Sequence, residues 1–260
     1  MTWATALLLL TLPSVANAER LRSFWHLEPV SANPETATFE SPFLDLKFRP
    51  LHVVRMIAPS SATNMTEGSM LFLVFDERGR AAYCSRPEDS AANRAKSMLT
   101  GLLNKTPCFI DYDRDGSFDA AFQVFYAPEA VPSPHGSMNS AISLPEKIKY
   151  TPENTYNFPE NRVRSLRFHG KKAIGQAIIQ VGAHRNNYGI FPSIRPDGKN
   201  PAIYDVYNQR IELQSISGDV ASIRVESDPL LFAFVDRENY ITFGPLPSHV
   251  LSYMSQVQAK

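Results

Sequence analysis

The sequence predicts an all-β protein, mainly antiparallel and sandwich-like, with at most one or two short helices. Short runs of Val, Ile, Phe, Tyr and Leu alternate with Gly, Pro, Asn and Asp, and helical periodicity is rarely sustained. The chain also contains 20 prolines in 260 residues. Because proline interrupts helices and is tolerated in loops and at sheet edges, this content favours a loop-rich β protein.

The strand prediction is clearest in ten segments. They are Leu51–Ile57, Met70–Phe75, Cys108–Ile110, Ala121–Tyr126, Ala173–Val181, Ile203–Tyr207, Ile211–Ile216, Ala221–Val225, Leu230–Val235 and Tyr240–Phe243. Three stretches, 71–83, 108–124 and 231–243, each contain an apolar run, a polar turn with Asp and a second run. This design predicts three β-hairpins. Helices are expected only at Ser90–Leu103 and Ser248–Val257.

The domain organisation has two interpretations. Residues 128–145 are rich in Pro and Ser, a composition typical of a linker or a long loop. One interpretation therefore places an N-terminal β lobe at 19–127 and a C-terminal β lobe at 146–260. The other is a single large sandwich with one long surface loop, which the chain length also permits.

The first eighteen residues read as a cleavable export signal. From Ala4 to Leu12 every residue is apolar or Thr, Pro13 follows, and Ala16-Asn17-Ala18 has the small-x-small pattern that signal peptidases accept. The segment lacks the usual basic residue before its apolar run, and a buried amino-terminal helix is the alternative. An exported protein, periplasmic in a bacterium or secreted, is expected. No stretch reaches the ~20 apolar residues of a membrane span.

The two cysteines, Cys84 and Cys108, are expected to form a structural disulfide. In an exported chain a lone pair of cysteines is more often bridged than free. The bond would tie residues 85–107 to the sheet. A catalytic thiol is the weaker alternative, since neither cysteine lies in a CxxC motif or beside a histidine.

One segment contains residues suited to metal binding, and we call it the Asp loop (residues 111–119). Asp111, Asp113, Asp115 and Asp119 occupy its positions 1, 3, 5 and 9, and Gly116 occupies position 6. Ca²⁺ is a hard cation that takes about six to eight oxygen ligands. Glycine permits a turn sharp enough for alternate carboxylates to converge. The alternative is a solvated hairpin turn, because Asp-Gly is a favoured turn dipeptide.

The Asp loop resembles the DxDxDG calcium loops of EF-hands and dockerins, and more closely the DxDxDGxxD loops between strands of integrin-type extracellular β repeats. The resemblance covers nine to fourteen residues. It implies a structural Ca²⁺ held by the side chains of Asp111, Asp113, Asp115 and Asp119 and by the carbonyl of Ser117. Phe122 stands where an EF-hand has its bidentate Glu, so the EF-hand fold is not expected.

Composition narrows the function. The 26 basic and 26 acidic residues give a net charge of zero, which disfavours a nucleic-acid binder. No P-loop, HExxH, GxSxG or Rossmann motif is present. We therefore expect a non-enzymatic binding or envelope-accessory module with a protein or glycan partner. The alternative is a hydrolase of glycans or peptides whose carboxylates meet only in the folded chain.

Overall fold

The computed structural model describes residues 19–29, 34–60, 62–63, 65–85, 105–126, 133–153, 163–182, 193–197, 201–235 and 241–258. The predicted export signal and the predicted helix Ser90–Leu103 lie outside these residues. The described elements are β1 (Glu19–Arg20), β2 (Trp25–Pro29), β3 (Thr36–Thr38), β4 (Pro42–Pro50), β5 (Val53–Met56), β6 (Met70–Phe75), β7 (Ala81–Ser85), β8 (Lys105–Ile110), β9 (Ser117–Tyr126), β10 (Pro134–Gly136), β11 (Ile142–Pro152), β12 (Val163–Gly170), β13 (Ala177–Gly182), β14 (Ser193–Ile194), β15 (Ala202–Val206), β16 (Gln209–Ser217), β17 (Val220–Ser227), β18 (Phe232–Val235), β19 (Ile241–Gly244) and α1 (Ser248–Gln258).

Six antiparallel strands form a closed sheet in the order β9-β11-β5-β6-β7-β8, because β8 pairs again with β9. Strand β9 is long enough to hold β8 along one side and both β11 and β10 along the other. Strand β1 extends the sheet beyond β10.

Two further antiparallel sheets complete the fold. A seven-stranded sheet has the order β14-β13-β12-β4-β2-β18-β19, and a four-stranded sheet has the order β15-β16-β17-β3. They pack face to face over one apolar cluster, in which Leu46, Phe168 and Ile179 of the larger sheet meet Tyr204 and Leu213 of the smaller. This packing confirms the predicted all-β, antiparallel, sandwich-like class.

The interior of the closed sheet is a second apolar cluster, to which all six strands contribute. Its members include Met56, Leu73, Tyr83, Phe109, Phe118 and Ile148. Helix α1 adds Val250, Tyr253 and Met254 to the same cluster. Side chains of the helix therefore fill part of the interior of the closed sheet, and the predicted helix Ser248–Val257 is confirmed.

A third cluster joins the closed sheet to the seven-stranded sheet. Phe72, Cys84 and Phe122 on the outer face of the closed sheet pack with Trp25 and Phe48 of β2 and β4. Burial of these large side chains contributes on the order of 1.5–3 kcal/mol each. The two sheets are thus connected through a shared core.

The predicted hairpins at 71–83 and 108–124 are present as β6–β7 and β8–β9, and β18 pairs with β19 as expected for 231–243. Strand β13 begins at Ala177 rather than Ala173, because the preceding residues form a turn.

Strand pairing crosses the predicted linker. Within residues 128–145, the described part supplies β10 and the start of β11, and both strands pair with β9. Strands β2 and β4 precede this segment, yet they pair with β18 and β12, which follow it. Among the described residues, no helix has the length and apolar character needed to cross a bilayer.

Candidate metal centre

The Asp loop connects β8 to β9 at one end of the closed sheet. Asp111 directly follows β8, and Ser117 is the first residue of β9. Phe118 anchors the loop from inside: its ring is fully buried and lies 4.4 Å from the Tyr150 ring and 5.1 Å from the Phe109 ring, centroid to centroid. The loop is therefore fixed by packing at the point where its acidic side chains begin to converge.

The backbone of the loop turns sharply at two residues. Arg114 has φ +58° and Gly116 has φ +89°, both in the left-handed region. A Cβ atom at Gly116 would meet nothing within 4 Å, so the glycine is needed for its conformation rather than for space. This turn brings alternate side chains to the same side of the loop.

Asp111 is the buried ligand candidate, with 7% of its surface exposed. Its carboxylate accepts hydrogen bonds from the Tyr150 hydroxyl at 2.8 Å, the Gly116 amide at 3.1 Å and the Asp115 amide at 3.2 Å. Burial raises the pKa of Asp111, and the Tyr150 hydrogen bond opposes that rise. The carboxylate is held in place by both the loop and β11.

Asp113 and Asp115 complete a three-carboxylate group with Asp111. One oxygen from each lies within 4.8 Å of the others, so the group could hold a metal ion. Asp119 lies on β9, where its Oδ2 accepts the Tyr112 amide at 2.8 Å. Carboxylate oxygens of this kind suit a hard divalent cation.

A lysine from β11 reaches into the same group. Lys147 Nζ lies 2.9 Å from carboxylate oxygens of Asp113, Asp115 and Asp119. Its hydrogen bonds lower the pKa of Asp113 and of Asp115, and the three carboxylates raise the pKa of Lys147. The ammonium group therefore occupies the point on which three of the four predicted ligand side chains converge.

The fifth predicted ligand, Ser117, uses its main chain within the loop. Its amide donates to Asp115 Oδ1 at 2.8 Å, which helps to orient that carboxylate. The structure thus brings together Asp111, Asp113, Asp115 and Asp119. The role of the Ser117 carbonyl as a metal ligand stays a prediction.

Sequence reasoning missed two residues of this site, Lys147 and Tyr150. Both lie on β11, where Lys147 is 34 positions after Asp113 and Tyr150 is 39 positions after Asp111. The signal that could have found them is the alternating pattern Lys147-Ile148-Lys149-Tyr150, which marks a short strand with one polar face.

The loop also contacts helix α1. The guanidinium carbon of Arg114 lies 5.0 Å from the centroid of the Tyr253 ring. At this distance the charge is attracted to the face of the ring. The left-handed turn at Arg114 therefore connects the Asp loop to the element that fills the closed sheet.

The predicted disulfide is present between Cys84 and Cys108, so the chain has no free cysteine. The two residues are directly opposite one another on β7 and β8, and both are fully buried. Cys108 lies three positions before Asp111 on the strand that enters the Asp loop. The bond therefore ties the strand that enters the Asp loop to its other neighbour, β7.

A polar groove of about 360 Å³ lies elsewhere, at the ends of β15, β16 and β17. Asp205 and Glu226 line it from strands on either side of Arg210, and both are directly paired with Arg210. A glycosidase needs two carboxylates with substrate between them. Here Arg210 of β16 lies between Asp205 and Glu226 in the strand ladder, and we build no proposal of hydrolysis on this groove.

The chain matches no protein-family model, no curated protein and no solved structure.

Proposed function

We propose that this protein is an exported, soluble β protein that acts as a binding or envelope-accessory module and is stabilised by a structural Ca²⁺ and a disulfide. The observation that carries the metal part of the proposal is the group formed by the carboxylates of Asp111, Asp113 and Asp115, which could hold a metal ion. The partner would be a protein or a glycan, in keeping with the neutral net charge.

Calcium fits the donor set better than a transition metal. Every candidate ligand is an oxygen, and neither imidazole nor thiolate takes part. Export supports the same choice, because Ca²⁺ sites of extracellular modules bind with dissociation constants of about 10⁻⁴ to 10⁻³ M. The Cys84–Cys108 disulfide supports export, since such bonds persist in oxidising compartments.

The role of the ion would be structural. Asp111 is already bonded to Tyr150 of β11, and Asp119 belongs to β9. An ion bound by the Asp loop would hold the β8–β9 turn against these two neighbouring strands. A ligand that binds only the folded state raises stability by mass action.

Thermal unfolding tests the calcium site directly. With about ten times the dissociation constant of free Ca²⁺, we expect a gain of about 1.4 kcal/mol, or roughly 3–6 °C in melting temperature, over the protein in EDTA. The double variant Asp113→Ala, Asp115→Ala should lose this response. Asp219→Ala is the matched control, because it removes an exposed carboxylate that also pairs with a lysine, Lys172.

A wild-type melting temperature that is the same in EDTA and in millimolar Ca²⁺ would show that the Asp loop is a solvated hairpin turn. A response that survives in the double variant would place the ion elsewhere in the chain.

A further inference from the structure

Lys147 holds the place of a cation in the Asp loop. Its ammonium nitrogen is equally close, 2.9 Å, to oxygens of three carboxylates that come from both the turn and β9. One lysine in contact with three carboxylates is unusual for a simple surface ion pair. Lys147 and Arg114 together offset two of the four carboxylate charges in the loop, and the remaining negative charge attracts a divalent ion.

A distortion of β11 places this lysine over the loop. Ser143 pairs with Ala120 and Ile148 pairs with Phe118, so residues 144–147 all lie opposite Asp119. Pro145, which has no amide hydrogen to donate to a ladder, lies within this bulge. Bulges commonly redirect a side chain beside a functional site. The extra residues carry Lys147 to the point where the carboxylates meet.

The two sides of the loop differ in how firmly they are held. Asp111 is buried and receives hydrogen bonds from Tyr150 and from two loop amides. Lys147 has 47% of its side chain exposed, on a flexible and strongly hydrated stem. Each exposed ion pair of this kind contributes little net stability, so the ammonium can leave for solvent, and the three contacts together set how strongly it competes with an ion.

We propose that Lys147 is a tethered competitor for the metal: its ammonium fills the Asp loop at low Ca²⁺ concentration and is displaced when the ion binds. This inference rests on the proposed calcium site and names the residue that sets its affinity. The competition weakens binding, which places occupancy in the high-calcium environment outside the cytoplasm. The loop stays ordered in both states because a cation is present in each.

The test is a calorimetric titration of Ca²⁺ into the chelator-stripped protein and three variants. Lys147→Met keeps the length of the side chain and removes the charge, and it should bind Ca²⁺ at least about tenfold more tightly than the wild type. Lys147→Arg keeps a competing cation, and its affinity for Ca²⁺ should stay within about threefold of that of the wild type.

Lys149→Met is the matched control: Lys149 lies two positions along β11 and, among the described residues, forms no ion pair with the loop. It should change affinity by less than about threefold.

The outcomes separate the two proposals. If the wild type binds Ca²⁺ and Lys147→Met binds it no more tightly, Lys147 is not a competitor, whereas the calcium site stands. If Lys147→Met binds Ca²⁺ and the wild type does not, the competition is confirmed. The proposal that the wild type binds Ca²⁺ is then wrong. If Lys149→Met tightens binding as much as Lys147→Met, general charge rather than contact is responsible, and the inference fails. If neither the wild type nor any of the three variants binds Ca²⁺, both proposals fail.

Discussion

His52 shows how burial of one residue can make the whole fold sensitive to pH. Its Nδ1 lies 3.1 Å from the hydroxyl of Tyr83, which is itself fully buried in the interior of the closed sheet. Burial lowers the pKa of His52 from 6.5 to about 4. The imidazole is therefore neutral in the folded protein at neutral pH, and a proton binds it more readily in the unfolded chain.

We expect stability to fall on acidification because of this difference. The unfolded histidine gains a proton below about pH 6.5 and the folded one only near pH 4. The free energy of unfolding should therefore fall between these values by up to about 1.4 kcal/mol per pH unit for His52. Urea unfolding at pH 7.5 and pH 5.0 measures the loss, which should be smaller in His52→Gln.

His26 and His135, whose pKa values burial also lowers, should supply the acid sensitivity that remains in the variant. If the free energy of unfolding falls by the same amount in His52→Gln and in the wild type between the two pH values, His52 does not gain a proton on unfolding in this range.

At this scale the sequence was informative about residues that are close together in the chain. The spacing of the four aspartates predicted that their carboxylates converge; those of Asp111, Asp113 and Asp115 form one group, and Asp119 contacts the same lysine as Asp113 and Asp115. Lys147 and Tyr150 were not predicted as part of the site. The alternation from Lys147 to Tyr150 can mark a strand, but the contacts with the Asp loop depend on the pairing of that strand with β9 and on its bulge, which the local pattern does not specify.

Among the elements, the β6–β7 turn and helix α1 fit against one another. Asp76 orders the turn by accepting the amides of Arg78 and Arg80. Gly79 then adopts φ +78°, and a Cβ atom placed there would lie 3.1 Å from the ring of His249, the second residue of α1. A side chain at position 79 would therefore be both strained in its backbone and closer to His249 than ordinary van der Waals contact allows.

The loss of stability caused by the close contact at residue 79 can be separated from the loss caused by its left-handed backbone conformation. Gly175 also has φ +78° but would meet no atom within 4 Å. We expect Gly175→Ala to cost about 1 kcal/mol for the left-handed conformation, and Gly79→Ala about 1–3 kcal/mol more because of the contact with His249. Guanidinium unfolding of both variants gives the comparison.

A double-mutant cycle with His249→Ala identifies the cause. If the clash is responsible, Gly79→Ala should cost no more than Gly175→Ala once His249 is truncated. An undiminished cost would mean that the turn itself, and not its contact with α1, requires the glycine.

Strands with a continuous apolar run were predictable, and strands without one were missed. Strand β4 alternates buried and exposed residues and carries charges at its exposed positions, so no apolar run marks it. Strand β11 is mostly exposed and contains Pro145. It contributes to the fold through its backbone, which pairs with β9 and β5 and closes the sheet. Hydrogen bonding of this kind leaves little trace in a sequence.

At the scale of the whole molecule, the class was predictable and the strand order was not. Hairpins such as β6–β7 follow from local turn chemistry. The pairing of β2 with β18 joins residues more than 200 positions apart, and it depends on which apolar faces pack together. Composition likewise marked residues 128–145 as a linker or a long loop. Proline and serine also suit β10, which pairs with β9 beside the closed sheet, and the turn that follows it.

The disulfide acts on the whole molecule through the unfolded chain. Cys84 and Cys108 are already neighbours in the ladder between β7 and β8, so the bond adds little to the folded arrangement. In the unfolded chain it closes a loop with a sequence separation of 24. The chain-entropy model assigns about 3.5 kcal/mol to a loop of this size. We therefore expect the variant Cys84→Ala, Cys108→Ala to unfold at lower guanidinium concentration, with a loss of about that amount.

Trp25 provides the measurement, since it packs in the same apolar cluster as both cysteines and its ring lies 5.5 Å from that of Phe72. The other tryptophan, Trp3, belongs to the predicted export signal. Trp25 fluorescence should report one unfolding transition for the oxidised wild type. In reductant, the transition of the wild type should occur at a lower guanidinium concentration. Reductant should leave the double variant unchanged, because it has no bond to break. If reduction shifts the wild type by less than about 1 kcal/mol, the unfolded chain already keeps β7 and β8 close together, and the hairpin rather than the bond limits its freedom.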